Sequence, residues 1–349
     1  MYVIPATQSF PILKLPFITL HNVIQSFSPL EALDFSLTSR KCRNIVKSTN
    51  LFKYDIGLSL LPEQTLFRLY RNLDREHLVC RFSVNELRNK NRHMEVKGIL
   101  KPYFNERKRI SLHFAKVWLN YLCDVFQMKL KFLKMNPSSS IEQMFAVAEW
   151  MNSMQPEIWL CEFHDGIVKS DSITRFFEIA NFPIRFLSFE VIQRSDTGPI
   201  NCGALNVEDI SVATRTNADP VNWFNVEQIM TWNCVRLMFH ACKFEERDLN
   251  QLVKGWLNGC NSRLEFFSAI LDPLDFNVIL EDIEFEERDL TLTRLFHTSF
   301  TTLPLSRTFI GGYDITRSDG TVATLQQINR FPGPRPMWEF AMAVWPKEL

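Results

Sequence analysis

The sequence has no excess charge of either sign: 39 Lys and Arg stand against 39 Asp and Glu. Binding to nucleic acid or an anionic membrane through bulk charge draws on a basic excess, so neither partner is expected. No run of about eighteen apolar residues occurs, which excludes an expected transmembrane helix. The first residues are apolar but carry no early positive charge, and Pro5, Pro11 and Pro16 interrupt them, so a secretory leader is not expected. The eight cysteines (Cys42, Cys80, Cys123, Cys161, Cys202, Cys234, Cys242, Cys260) contain no C-x-x-C pair. They read as reduced, mostly buried thiols of a cytoplasmic or nuclear protein.

Signatures of chemistry are scarce too. No G-x-x-x-x-G-K-[ST] or G-x-G-x-x-G stretch signals a phosphate cradle, and no G-x-S-x-G marks a nucleophile elbow. Cys161-x-x-His164-Asp165 is the nearest approach to a metal or nucleophile cluster. A zinc site needs four ligands at workable spacing, and no second half lies nearby. Cys234, His240 and Cys242 share one parity on a strand-like run, which more simply makes them one face of a strand. Neither a cofactor nor a metal is expected, and an enzymatic role is not indicated. A hydrolase built on a Cys-His pair stays open as an alternative of a different class.

What the chain does have is apolar patterning. Thirty phenylalanines in 349 residues point to a large, filled core, and the length suits two domains or one large one. Residues 10–47 pack Leu, Ile, Val and Phe at helical spacing, with Ile18, Val23, Ile24 and Phe27 on one stripe. Ser28-Pro29 ends the first helix, because proline disfavours a helical residue before it. Pro29 then suits the first turn of a second helix, Leu30 to Leu37, and Ser39 opens a basic third one, Arg40 to Lys47, carrying Ile45 and Val46. Three short helices cannot bury that much apolar surface alone, so the surplus is expected to meet another protein.

Leu15-Pro16, Ile24, Phe27, Pro29, Leu33, Leu37, Ser39 and Ile45 resemble an F-box. Members of that family dock on the Skp adaptor of cullin-based ubiquitin ligases. The match departs at Ile18-Thr19, where many members carry Glu, and at Ile45, where many carry Trp. The resemblance implies adaptor-binding residues Leu15, Pro16, Phe17, Ile24, Phe27, Pro29, Leu33 and Leu37.

After residue 50 the texture changes. YDIGLSLL, TLFRLYRN and HLVCRFSV are short and partly alternating, which predicts a small β-meander. Residues 86–109 hold eight Lys or Arg against three Glu and read as a solvated connection. Strand-like segments then recur with anchors Leu133, Leu160, Leu187, Val212, Leu237 and Leu264, spaced 27, 27, 25, 25 and 27 residues apart. Helical patterns come after the first, second and fifth; between Val212 and Leu237 the helical signal is weak. This predicts a degenerate leucine-rich-repeat-like solenoid of parallel strands in chain order, without the usual asparagine signature. An ordinary α/β sheet is the competing reading. The hexapeptide FEERDL occurs at 244–249 and again at 285–290, out of phase with the rhythm, and reads as helix-start chemistry.

Residues 232–267 resemble the type 2 F-box associated domain of nematode proteins, through Leu249-Asn250, Lys254-x-Trp256 with Gly259, and Arg263-Leu264-Glu265. YDITRSDGTVATL and MWEFAMAVW fit the same family, and Asp319-Gly320 is a hairpin signal.

The expected organisation is therefore α+β or α/β. A three-helix F-box spans 8–50 and a β linker 51–108. A repeat-like α/β domain spans 109–349 and contains the F-box associated domain from about 223. The expected function is a non-catalytic adaptor that binds Skp and presents a target protein for ubiquitination. The alternative is an F-box scaffold acting without a cullin ligase. Two surfaces compete for the target: the inner sheet face, and the C-terminal hairpin with Tyr313, Arg317, Trp338 and Trp345, the aromatic and Arg types enriched at hot spots.

Overall fold

The computed structural model describes residues 11–49, 54–61, 65–71, 78–83, 112–136, 141–154, 157–194, 200–202, 207–213, 224–240, 242, 244–270, 274–298, 305–329 and 338–346. The basic run at 86–109 lies outside the described residues. Two units divide the chain: residues 1–56 with 67–129, and 57–66 with 130–349.

In the first unit, α1 (Phe17–Gln25), α2 (Pro29–Thr38) and α3 (Arg40–Thr49) fall where the sequence places them. Pro29 sits in the first turn of α2, and Ser28 caps that turn. Its Oγ accepts from the Glu31 amide at 3.3 Å while its own amide donates to Glu31 Oε2 at 2.7 Å. That reciprocal cap was legible as Ser-x-x-Glu. The stripe in α1 is Leu20 and Ile24, which are buried, whereas Ile18 is 75% exposed. The expected inclusion of Ile18 in the buried stripe is thus corrected. Ile18 lies six residues before Ile24, which turns it well off the i, i+4 line through Leu20.

The first unit also contains a fourth helix, α4 (Leu112–Phe126), which packs on α3. Asp124 accepts from Arg43 Nη2 and Lys47 Nζ, both at 2.6 Å, and Tyr121 Oη lies 3.0 Å from Ser36 Oγ. The domain boundary drawn at residue 109 therefore moves: α4 belongs with the N-terminal helices. Part of the surplus expected to meet another protein is met by this chain. Three short strands follow α3 in the sequence: β1 (Tyr54–Leu60), β2 (Thr65–Arg71) and β3 (Leu78–Ser83).

In the second unit, β4 (Lys129–Met135), β5 (Ile158–Val168), β6 (Ile184–Arg194), β7 (Asp209–Ala213), β8 (Arg236–Phe239) and β9 (Phe266–Ile270) are parallel and in chain order. Between them run α5 (Ile141–Met154), α6 (Ser170–Ile179), α7 (Val226–Thr231) and α8 (Glu246–Leu257); α7, in the stretch with the weakest signal, has six residues. Asparagines tie successive units. Asn152 Nδ2 donates to Ile179 O at 2.8 Å, and Asn250 Nδ2 to Ile279 O at 2.9 Å. The sheet then turns antiparallel, through β13 (Trp338–Val344), β12 (Val322–Asn329), β11 (Ser306–Thr316) and the terminal strand β10 (Glu286–His297). A uniform solenoid would continue with parallel strands. Here only β4 to β9 run parallel in chain order, and the sheet is mixed.

Phenylalanines fill the helix-covered face. Phe163, Phe189, Val212, Phe239 and Ala269 share one register row. Phe163 stacks on Phe189 at 5.3 Å, and Phe224 bridges Phe189 and Phe239 across the smaller Val212. Phe176 of α6 closes on Phe163 edge-to-face at 5.3 Å, a favoured aromatic geometry.

Candidate functional site

The sites expected in the N-terminal helices separate into two groups. Ile24 and Leu33 are core, with at most 1% exposure. Phe27 is half-buried and meets Phe35 edge-to-face at 5.8 Å; Leu15 and Pro29 are also half-buried. Pro16 precedes α1 as its exposed N-terminal cap residue. Phe17 is 66% exposed, next to Ile18, and Leu13 and Leu37 are exposed as well. Exposed single hydrophobes are ordinary, but Phe17 and Ile18 at the head of one helix, with Leu13 one short turn upstream, form a group. Sequence reasoning missed Ile18 and Leu13. Helical phase counted from Ile24 would have found Ile18.

In the second unit, on the sheet face opposite the phenylalanine row, one level is largely polar. Lys134, Glu162, Ser188, Ser211, Met238 and Ser268 form one register row across β4 to β9. One level further lie His164 and Glu190, paired between β5 and β6. His164 Nδ1 is 3.2 Å from Glu162 Oε1 and 3.1 Å from Glu190 Oε2, while Lys134 Nζ donates to Glu162 Oε1. The ligand atoms of these two glutamates and the histidine all lie within 4.8 Å of one another. Carboxylates and imidazole could together hold a divalent cation. Lys134, however, already neutralises Glu162 from within the cluster. Further along, His240 Nε2 lies 3.2 Å from Glu339 Oε1 and 3.1 Å from Ser268 Oγ.

The pairing of Cys161 with His164 is not supported by this geometry. Cys161 shares the Leu133–Leu187 row on the phenylalanine side, and His164 points to the other face. Strand alternation dictates this: residues three apart point to opposite faces. Burial also pushes the Cys161 thiol well above its ordinary value, with the Glu162 charge adding to it, the opposite of an activated nucleophile. Cys234 and Cys242 are likewise buried.

The side chains expected to grip a target are largely engaged within their own unit. Arg317 is 12% exposed; its Nε and Nη2 donate to Asp319 at 3.1 and 2.7 Å, and its guanidinium lies 5.1 Å over Trp256. Those hydrogen bonds, with the Thr321 amide, hold the Asp319 carboxyl well below the usual carboxylate range. Tyr313 is half-buried between Phe276 at 4.9 Å and Phe285 at 5.5 Å. Trp338 is half-buried at the start of β13. Trp345 donates from Nε1 to Thr324 Oγ1 at 2.7 Å and packs on Phe296 and Phe309. Changing Arg317 to Ala is accordingly expected to lower stability by about 1–2 kcal/mol at neutral pH, read by chemical denaturation. Because Asp319 has a depressed folded-state pKa, its contribution is present above the ordinary carboxylate range. It is lost as pH falls through the depressed value, so the gap between wild type and variant narrows in acid.

Among the described residues no helix is long and apolar enough to cross a membrane. The family model described as F-box domain matches residues 12–54, and the one described as F-box associated matches 202–269. The chain is similar to the F-box associated domain-containing protein sdz-33 of Caenorhabditis elegans. The two are 20% identical over 330 residues, covering 91% of this chain and 94% of that protein. No solved structure matches.

Proposed function

We propose that the chain, which matches the F-box domain over residues 12–54 and the F-box associated model over 202–269, is a non-catalytic substrate receptor of a Skp-cullin ubiquitin ligase. The first unit holds the Skp adaptor, and the second holds a target protein. The observation that carries this reading is the division of the 12–54 segment into a buried core at Leu20, Ile24 and Leu33 and exposed apolar side chains at Leu13, Phe17, Ile18 and Leu37. Of the residues proposed for the adaptor interface, Phe17 and Leu37 would touch it. Ile24 and Leu33 would support it from beneath, and Leu15, Pro16, Phe27 and Pro29 would set the helix ends and their packing. The repeat-like run from β4 to β9 supports a binding role for the second unit. Repeated strands in chain order present long rows of side chains on one face.

Tethering is the whole mechanism: a linked target is held at high effective concentration near the ubiquitin-charged enzyme, which other subunits supply. Of the proposed target residues, Tyr313 and Arg317 are engaged by their own unit, so the polar sheet face and the strands beside the hairpin are the stronger surfaces. The full chain is expected to co-purify with the Skp adaptor and, through it, with a cullin. Retention of the adaptor without the cullin would favour a scaffold outside the ligase. Loss of both would end the reading.

A further inference from the structure

Beyond the N-terminal helices, most of the remaining exposed large hydrophobes among the described residues gather on β10 and its flanks: Phe285, Leu290, Leu292, Leu295 and Ile310. Leu290, Ile310 and Leu295 are neighbours across β10 and β11. Residues 289–292 of β10 bulge out between the pairs Arg288–Gly312 and Thr293–Ile310. Leu290 lies over Gly311, where an added Cβ would sit 3.0 Å from its side chain, next to Ile310. Leu295 pairs with Thr308, one step along the same exposed side as Ile310. The other side of the ribbon is committed: Phe296 stacks on Phe266, and Arg288 and Arg294 bind the buried Asp314.

Two further features accompany this patch. β10 is the terminal strand of its sheet, paired among the described residues with β11 alone. A terminal strand offers backbone donors and acceptors along its outer side. The patch is also strongly acidic. Residues 281–289 carry Glu281, Asp282, Glu284, Glu286, Glu287 and Asp289 against the single Arg288, in a chain whose total charge is zero. All six carboxylate residues are exposed, while Arg288 is bound to Asp314.

We propose that the outer edge of β10 captures an extended, basic segment of a target protein, with apolar side chains alternating between Lys or Arg. The segment adds to β10 by backbone pairing. Its apolar residues cover Leu290, Leu292, Leu295 and Ile310, and its basic residues meet the 281–289 carboxylates. A second copy of this chain is disfavoured as the occupant, because two copies of the acidic stretch would face each other. The inference rests on the reading that the second unit holds a target, and it names the chemistry of that target.

The test uses the full chain and three labelled peptides: one alternating lysine and leucine, one alternating glutamate and leucine, and a lysine–leucine peptide N-methylated on alternate residues. The first is expected to bind, weakening with salt, and to protect amides of residues 293–297 from hydrogen exchange. The second and third are expected to bind at least tenfold more weakly. The double changes L290S/L292S and E286Q/E287Q should each weaken the first peptide about tenfold without moving the melting temperature. Equal binding of the glutamate or N-methylated peptide, unchanged affinity in both variants, or protection on the polar face of β5 and β6 instead would overturn the proposal. Skp adaptor co-purification is scored in parallel. Adaptor binding without peptide capture removes this edge and leaves the ligase reading standing; peptide capture without adaptor binding does the reverse.

Discussion

Replacing Phe17 and Ile18 together with aspartate is expected to abolish co-purification with the Skp adaptor while leaving the melting temperature within a degree or two of wild type. Both side chains are mostly in solvent, so little folded-state packing is lost. Both occupy the first turn of α1, where a negative charge sits favourably against the helix dipole. The fold has no reason to object. A partner pressed onto this surface does: buried apolar anchors at interfaces are worth about 2 kcal/mol or more each, so two together should weaken binding more than a hundredfold. Ile24→Ala is the contrasting control. It leaves a cavity in the core and should cost about 2–5 kcal/mol, lowering stability and binding together. If the aspartate pair binds the adaptor as wild type does, the exposed head of α1 is not the interface.

The second large effect is expected at Asp209. This residue and Arg236 form an ion pair between adjacent strands β7 and β8, both nearly fully buried, in a register row that runs between Phe186 and Phe266. Burial pushes the Asp209 carboxyl up, and Arg236 pulls it back down. Removing the carboxylate alone, as Asp209→Ala, strands a guanidinium in an apolar row and is expected to cost about 3–5 kcal/mol. Replacing both partners with apolar residues of similar volume, Asp209→Leu with Arg236→Met, should recover most or all of that loss. Denaturant unfolding of the wild type, the single variant and the double variant checks this. A single variant as stable as wild type would show that the pair is not sealed from water in solution. Nothing in the sequence singles this pair out, because Arg236 looks like one more polar position in a strand and its partner lies 27 residues away.

The repeated hexapeptide shows what local sequence can decide. FEERDL at 244–249 leads into α8, where Glu245 and Asp248 form a reciprocal cap. Of the same six residues at 285–290, Glu286 to Leu290 already form the start of β10. The two copies part ways through the residues on their C-terminal side. After the first copy, Leu252, Val253 and Trp256 continue the helical stripe begun at Leu249. After the second, Thr-Leu-Thr-Arg-Leu-Phe-His brings β-branched residues at near-alternate spacing, which suits a strand. Taking both copies as helix starts weighs the acidic residues and ignores their continuation.

By itself, the sequence determined the elements whose cause is local. These are the three N-terminal helices with their Ser28-Pro29 break, the strand anchors from Leu133 to Leu237, and the hairpin at Asp319-Gly320, whereas Leu264 falls two residues before β9. Helical phase, strand alternation and turn chemistry each act within a few residues, so a linear string carries them whole. Tertiary structure alone decided the rest. It placed α4 against α3 through Asp124, set the parallel strands into one mixed sheet ending at β10, and gathered Glu162, His164 and Glu190 from two strands onto the polar face. It also took Arg317 out of solvent and left Leu290 in it. Each of these outcomes depends on which distant segment arrives to cover a given side chain. Burial is a property of the packed whole, so no window of sequence contains it.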